Sequence, residues 1–275
     1  MESAPTFYIE PAGKRTYLDI REIWQFRDLL YFLIWRDIKV RYKQTALGAA
    51  WAVLQPLFMM VVFSLFFGRL AKVPSDGIPY PLFCLAGLLP WQLFAHALAE
   101  SSNSLVANER LITKVYFPRL VVPIAAVLGG LVDFAIAFVL LLIMLIYYRV
   151  SPSWSLVTLP LFLLLAIATA LAVGLWFSAL NVKYRDVRYT IAFLVQLWLF
   201  ATPIAYPSSI VPERWRPLYG LNPMAGVVEG FRWALLGQKA PPLALILVSS
   251  AVVALILFGG LYYFRQMEQQ FADIV

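Results

Sequence analysis

The sequence predicts an all-α membrane protein with six transmembrane helices, an N-terminal amphipathic interface helix and short re-entrant helices between spans five and six. Three observations carry that prediction. The chain of 275 residues is 62% apolar and only 13% charged, whereas soluble globular domains run ~45–50% apolar and ~25% charged. Too little polar surface exists to cover a water-soluble body of this size, so the excess faces lipid. Six apolar stretches approach or exceed the ~20 residues that a helix needs to cross a bilayer core. Strand-like alternation is absent from them, and helices satisfy their own backbone where lipid cannot.

Residues 1–45 form a polar arm, 46–265 the six-helix membrane domain and 266–275 a tail. The arm carries mixed charge and no small-residue cleavage site, so the chain is expected to insert through its own first span. Within it, DIREIWQFRDLLYFLIWRDIKVRYK at 19–43 places Arg36, Lys39 and Lys43 on one helical face. Leu30, Leu33, Ile34, Ile38 and Tyr42 cover the opposite arc, and Trp24 and Trp35 add interface-seeking rings. That is the pattern of a helix in the headgroup layer. Asp37 and Arg41 interrupt the apolar arc, and their i, i+4 spacing allows mutual neutralisation. The helix is either a surface anchor or a dock for a partner or an anionic headgroup.

The spans fall at about 46–68, 82–101, 119–147, 155–179, 190–207 and 242–264. The fifth is the shortest and ends among Pro203 and Pro207. Between spans two and three, SSNSLVANERLITKVYFPR at 101–119 reads as a short helix, with Ser101 or Ser102 as its cap and Pro118 after it. Leu111, Ile112, Val115, Tyr116 and Phe117 are too apolar for a solvated loop and imply a contact with another subunit. Between spans five and six, residues 223–236 are apolar yet too short to cross. They form either a re-entrant helix or an amphipathic helix on the outer surface, with Glu229 and Arg232 on one face.

Orientation follows from the cations. The arm, the second and fourth connections and the tail hold fifteen Lys and Arg, against seven on the other side. The cation-rich side is expected to be cytoplasmic, with both termini inside. The formal net charge of +7 then reports orientation and contact with anionic membrane lipids rather than nucleic acid.

Few residues offer chemistry. Cys84 is the only cysteine and His96 the only histidine, which excludes an intrachain disulfide and any His- or Cys-rich metal site; no metal or cofactor is expected in this chain. No GxxxxGK[ST], GxSxG or HExxH run occurs. Asp133 lies mid-span, and His96 and Glu100 are one turn apart. The three form either a proton path or ordinary interhelical hydrogen bonds, as do Gln55, Gln92 and Gln196 unless these line a pore. Nine Trp, fourteen Tyr and twenty Phe residues fit an interfacial belt; a sugar-stacking use of their flat faces depends on the resemblance given below.

Four segments, WRDIKVRYKQTALGAAWAVLQP at 35–56, LITKVYFPRLVVP at 111–123, NVKYRDVRYT at 181–190 and LNPMAGVVEGFRWALLG at 221–237, lie in one order along nearly the whole chain. Together they resemble the permease subunit of type-2 ABC exporters, in the polysaccharide group that handles O-antigen, capsule and teichoic acid. The resemblance implies a homodimer in the bacterial inner membrane, with two copies of a separate ABC ATPase that holds ATP and magnesium; this chain would be no enzyme. It implies that Asn108, Glu109, Arg110, Leu111 and Lys114 touch the ATPase. The helices at 208–240, including Trp215, Tyr219, Glu229, Arg232 and Trp233, would gate the outer mouth. A lipid-linked glycan would enter past Arg36, Lys39, Arg41 and Lys43 and slide along Trp51, Trp91, Trp198 and Tyr206. Competing expectations are a type-2 permease for a lipid or drug, a membrane-embedded glycan-processing enzyme built on Asp133 and Glu100, and a proton-coupled transporter built on His96 and Asp133.

Overall fold

The computed structural model describes residues 20–43, 48–151, 153–237, 243–268 and 271, and these are helical with connecting turns. Two helices precede the spans, α1 (Ile20–Gln25) and α2 (Arg27–Tyr42). Next come α3 (Ala50–Phe63), which continues as π-helix over Ser64–Leu70, and α4 (Tyr80–Ala107). A short α5 (Glu109–Lys114) leads to α6 (Val121–Tyr147). A 3-10 turn at Trp154–Thr158 runs into α7 (Leu159–Lys183), followed by α8 (Val187–Ala201). The last connection holds α9 (Arg216–Tyr219) and α10 (Pro223–Leu236), and α11 (Leu243–Glu268) follows.

Five helical stretches are long and apolar enough to cross a membrane: Ala50–Leu70, Tyr80–Ala107, Val121–Tyr147, Trp154–Lys183 and Leu243–Glu268. The expected fifth span, 190–207, is helical only as the 15-residue α8, about 22 Å long at 1.5 Å per residue. Proline explains where it stops. Pro203 disfavours helical backbone at Thr202, which takes φ −97° and ψ 142°.

One helix is central. The apolar window of α4 is 78% buried, against 17–33% in the other four spans, so those four present most of their surface outward. Helices α6 and α7 make the most extensive contacts with α4, and α10 and α3 also pack on it. Buried apolar residues form two separate clusters. The larger joins α3, α4, α6, α7, α8 and α10 around Phe94, Phe231 and Leu141. The smaller gathers Leu33 of α2, Ile112 of α5, Phe117, Leu120 and Val121 at the start of α6, and Phe264 near the end of α11.

One expectation is corrected, and one of two alternatives is set aside. Helix α4 does not end near residue 101: it runs unbroken to Ala107, and Ser101 and Ser102 are buried within it. No Gly or Pro follows Pro90 to stop it, and the Ser102 hydroxyl bonds back to the Leu98 carbonyl. Helix α10 does not lie on the surface, because twelve of its fourteen residues are buried. Its ends follow local rules: Asn222 caps it by accepting from the Met224 N–H, Pro223 opens it, and Gly237 closes it at φ +58°. Gly226 and Gly230 let neighbours approach where side chains would not fit. A Cβ on Gly226 would lie 2.5 Å from Ser249 Cβ on α11, and one on Gly230 2.1 Å from the Phe162 ring on α7.

Candidate functional site

A groove of about 980 Å³ opens between α2, α3, α4, α6 and α8. Its walls are chiefly apolar, with Phe58, Met59 and Val62 from α3, Leu88 and Leu89 from α4 and Leu199 from α8. Gln55, Gln92 and Gln196 contribute amides to the same lining. One polar cluster interrupts it: Arg41, Tyr42, His96 and Asp133.

The cluster is centred on Asp133. The Arg41 guanidinium and the Tyr42 hydroxyl each donate to one of its carboxylate oxygens. The mid-span carboxylate is therefore paired, and the pair ties the last turn of α2 to the middle of α6. Burial first, and then the bond to Asp133, push the Tyr42 hydroxyl up to about 12, so it remains a donor at physiological pH. His96 Nε2 lies 3.8 Å from Asp133 Oδ2 and is buried without a hydrogen-bond partner among the described residues. Glu100 is exposed and takes no part in the lining. The expected Asp37–Arg41 pair does not form: Asp37 accepts from its neighbour Arg36 at 2.7 Å, and Arg41 turns to Asp133 instead. The sequence carries no local sign of that pairing, because the partners stand 92 positions apart.

A second polar constellation lies beside the first turns of α4. Arg232 of α10 is 4% exposed. Its Nε donates to the Phe83 carbonyl at 3.1 Å, and its two terminal nitrogens donate to the Pro203 and Ile204 carbonyls at 2.5 Å. Glu229 Oε1 pairs with Nη1 at 3.1 Å and also accepts from the Ser208 N–H. The guanidinium carbon stands 3.6 Å from the centre of the Phe83 ring. Position 87 has to be glycine for this, since a Cβ there would sit 2.6 Å from Nη2. Buried irregular backbone after α8 is thus satisfied by one side chain from α10.

The other residues singled out from the sequence fall into distinct places. Lys39 and Lys43 are exposed, and the Lys39 ammonium lies 5.2 Å from the Trp35 ring centre. Trp51 is 55% exposed on the groove wall, whereas Trp91 is 4% exposed and packed on Phe94. Trp198 gives its indole N–H to Asn222 Oδ1 at 2.8 Å and stands edge-on to Phe94. The Tyr206 and Tyr219 hydroxyls meet at 2.8 Å, and Tyr219 also donates to the Ala201 carbonyl. Burial, then that contact with Tyr206, raise the Tyr219 hydroxyl above its usual value. Trp215 is half exposed beneath the Arg214 guanidinium, and Trp233 packs edge-on to Phe162. Glu109, Arg110 and Lys114 are exposed on α5, Leu111 packs against the smaller apolar cluster, and Asn108 donates back to the Ser104 carbonyl.

That cluster is edged by a polar seam. Arg265 contacts Glu268 at 2.9 Å and Glu22 of α1 at 3.8 Å. The Arg119 side chain donates to the Glu268 carbonyl, and its backbone N–H to Glu268 Oε1 at 3.1 Å. Helix α1, the entry to α6 and the end of α11 are joined there. Among the described residues, no group of three His, Cys, Asp or Glu is placed to hold a metal ion.

Sequence comparison places these elements in a family. The chain is 32% identical over 259 residues to the "O-antigen export system permease protein RfbA" of Myxococcus xanthus, covering 93% of this chain and 98% of that protein. A Klebsiella pneumoniae protein of the same name is 31% identical over 250 residues, 90% of this chain and 95% of that protein. The Escherichia coli "Polysialic acid transport protein KpsM" is 24% identical over 238 residues, 86% of this chain and 92% of that protein. The family model described as ABC-2 type transporter matches residues 28–236, from the first turn of α2 to the last residue of α10, and the chain belongs to that family.

Proposed function

We propose that this chain is the membrane-spanning subunit of an ATP-driven exporter that carries a lipid-linked polysaccharide, of the O-antigen kind, across the bacterial inner membrane. The observation that carries the reading is the end-to-end similarity to the Myxococcus xanthus permease. The groove supports it: a wide, mostly apolar trough with three side-chain amides and an exposed Trp51 offers stacking faces and hydrogen bonds to sugar hydroxyls.

In this reading the bundle has six spans. Helix α8 begins the fifth crossing, and the irregular turn-rich segment 202–207, whose Pro203 and Ile204 carbonyls accept from Arg232, completes it. Irregular backbone is tolerated at membrane depth only when protein buries it, and residues 202–205 are buried. The fifteen-to-seven cation split puts both termini in the cytoplasm. The end carrying α1, α2 and α5 then faces a separate ABC ATPase, present in two copies with ATP and magnesium. Asn108, Glu109, Arg110, Leu111 and Lys114 lie at that contact. Two copies of this chain enclose the path between them. Arg36, Lys39, Arg41 and Lys43 attract the anionic headgroup, and Trp51, Trp91, Trp198 and Tyr206 shape the wall. The α9–α10 connection, with Trp215, Tyr219, Glu229, Arg232 and Trp233, closes the outer mouth.

The test is deletion of the gene and complementation with wild type, in a strain whose surface polymer is followed by immunoblot of intact and lysed cells. Polymer should accumulate inside the deletion strain and return to the surface with wild type. Polymer that still reaches the surface without this chain refutes the reading. The similarity to the polysialic acid protein favours a capsular polymer as the second reading, and the same blot with the corresponding antibody separates the two. Hydrolysis or transfer of a glycan by the purified chain alone would point instead to a membrane-embedded enzyme.

A further inference from the structure

We propose that Asp133 is an exchangeable counter-ion: a phosphate-type lipid headgroup entering the groove displaces its carboxylate from Arg41 and Tyr42, and His96 receives it. The proposal rests on the export reading for the ligand's identity, a polyprenyl diphosphate, and on the geometry for the exchange.

Four features support the exchange. Arg41 and Tyr42 are adjacent donors at the end of α2, both spent on one carboxylate of α6. Phosphate oxygens accept from a guanidinium and a hydroxyl in the same manner, with more charge and more acceptors. The second feature is the spare partner. His96 Nε2 is buried, unpartnered among the described residues and 3.8 Å from Asp133 Oδ2, so a small side-chain rotation brings the carboxylate to it when Nε2 carries its proton. Third, the groove matches an amphiphile. The cluster supplies the cationic end, and Phe58, Met59 and Val62 supply an apolar wall. Fourth, the side chains are not sealed in: those of Arg41 and Asp133 are each 26% exposed, and that of His96 34%.

Exchange has a mechanical consequence. The Asp133 contacts hold the last turn of α2 against α6, while Leu33 and Leu30 hold its earlier turns in the smaller apolar cluster. A headgroup that takes Arg41 and Tyr42 leaves the end of α2 without its polar tether. Loading of the groove is then reported along α2 to the end of the bundle where α5 lies. A ligand shifts such an equilibrium only by its preference for one state, and here the preference is the choice of anion for Arg41.

The experiment uses the full chain in lipid nanodiscs, with radiolabelled polyprenyl diphosphate as the probe and amide hydrogen exchange over 27–42 as a second readout. Wild type should bind the probe, and binding should speed exchange in the last turn of α2. Asp133→Asn should bind about tenfold more tightly, equal to about 1.4 kcal/mol, because no internal anion has to be displaced. Its α2 exchange should be fast before ligand is added. Arg41→Gln should lose the response, and His96→Phe should weaken binding by stranding the displaced carboxylate. Inorganic diphosphate and anionic phospholipid serve as competitors. Competition by phospholipid at equal potency would assign the site to bulk lipid and overturn the proposal. A merely structural role for Asp133 predicts fast exchange in Asp133→Asn without a gain in affinity, and that result also overturns it. Absence of any wild-type binding would overturn the proposal, while the export reading would still stand or fall by the deletion experiment.

Discussion

Replacing Arg232 by Met tests how the irregular segment after α8 is held. The substitution keeps a long apolar stem and removes every donor. The Phe83 carbonyl lies within α4 and has a helical partner of its own, so its loss is small. The Pro203 and Ile204 carbonyls depend on the guanidinium, and an orphaned buried acceptor costs about 1–3 kcal/mol. Glu229, whose side chain is 13% exposed, is left as a largely buried carboxylate that accepts from the Ser208 N–H. Breaking a buried pair by removing one partner costs about 3–5 kcal/mol, the range taken here for the whole constellation. Arg232→Met should therefore destabilise by about 4 kcal/mol, read by equilibrium unfolding in mixed micelles of increasing SDS content. Arg232→Lys should fall between, since one ammonium cannot span three carbonyls as a planar guanidinium does. Adding Glu229→Gln to Arg232→Met should recover part of the loss, because no buried charge then remains unpaired. A folded Arg232→Met protein within 1 kcal/mol of wild type would refute the reasoning, since it would mean that the carbonyls find other partners.

Two further outcomes follow from the packing. Gly230→Ala places a methyl 2.1 Å from the Phe162 ring and should cost about 1–3 kcal/mol through strain; Phe162→Leu in the same chain should restore much of it in the SDS titration, and no rescue would show that the contact does not limit helix approach. Trp198→Phe removes the indole donor to Asn222 and should cost about 1–2 kcal/mol, with the unfolding midpoint falling more than polymer export. Loss of export in a protein of unchanged stability would show that the Trp198 ring acts on the transported chain rather than through its bond to Asn222.

The helices were largely legible because composition, run length and proline placement are local. Pro203 lay within the expected end of the fifth span, and the apolar run at 223–236 has the bounds of α10. What α10 packs against was not legible. Its Glu229 and Arg232 at i, i+3 read equally as a solvated pair on an outer surface, and only the fold brings the Pro203 and Ile204 carbonyls to the guanidinium. Asp133 had the same difficulty in reverse. A mid-span carboxylate reads as costly and functional until a cation from the arm, 92 positions away, is found beside it. Local spacing instead favoured Asp37 for Arg41, and the helix facing α6 decided otherwise. The aromatics were ambiguous for a different reason: Trp51 and Trp91 share a sequence class but differ in exposure, 55% against 4%, and that difference is set by which side of the groove each helix turns inward.

The two polar constellations differ in a way that bears on motion. Around Arg232, donors and acceptors are matched among buried groups, glycine at position 87 leaves no slack, and any displacement exposes carbonyls to an apolar interior. Such a site has one low-energy arrangement. Around Asp133 the groups border an open groove, and one buried nitrogen remains unpartnered. On the exchange proposed above, a small rotation gives the carboxylate a second partner in His96, 3.8 Å away, once a headgroup takes Arg41 and Tyr42, so the site has a second arrangement that a ligand can favour. Coupling between distant surfaces needs an element with two discrete states that both surfaces can bias. By that criterion the rigid end around α10 is where shape is held, and the junction of α2 with α6 is where a signal passing between the groove and the α5 end can be stored.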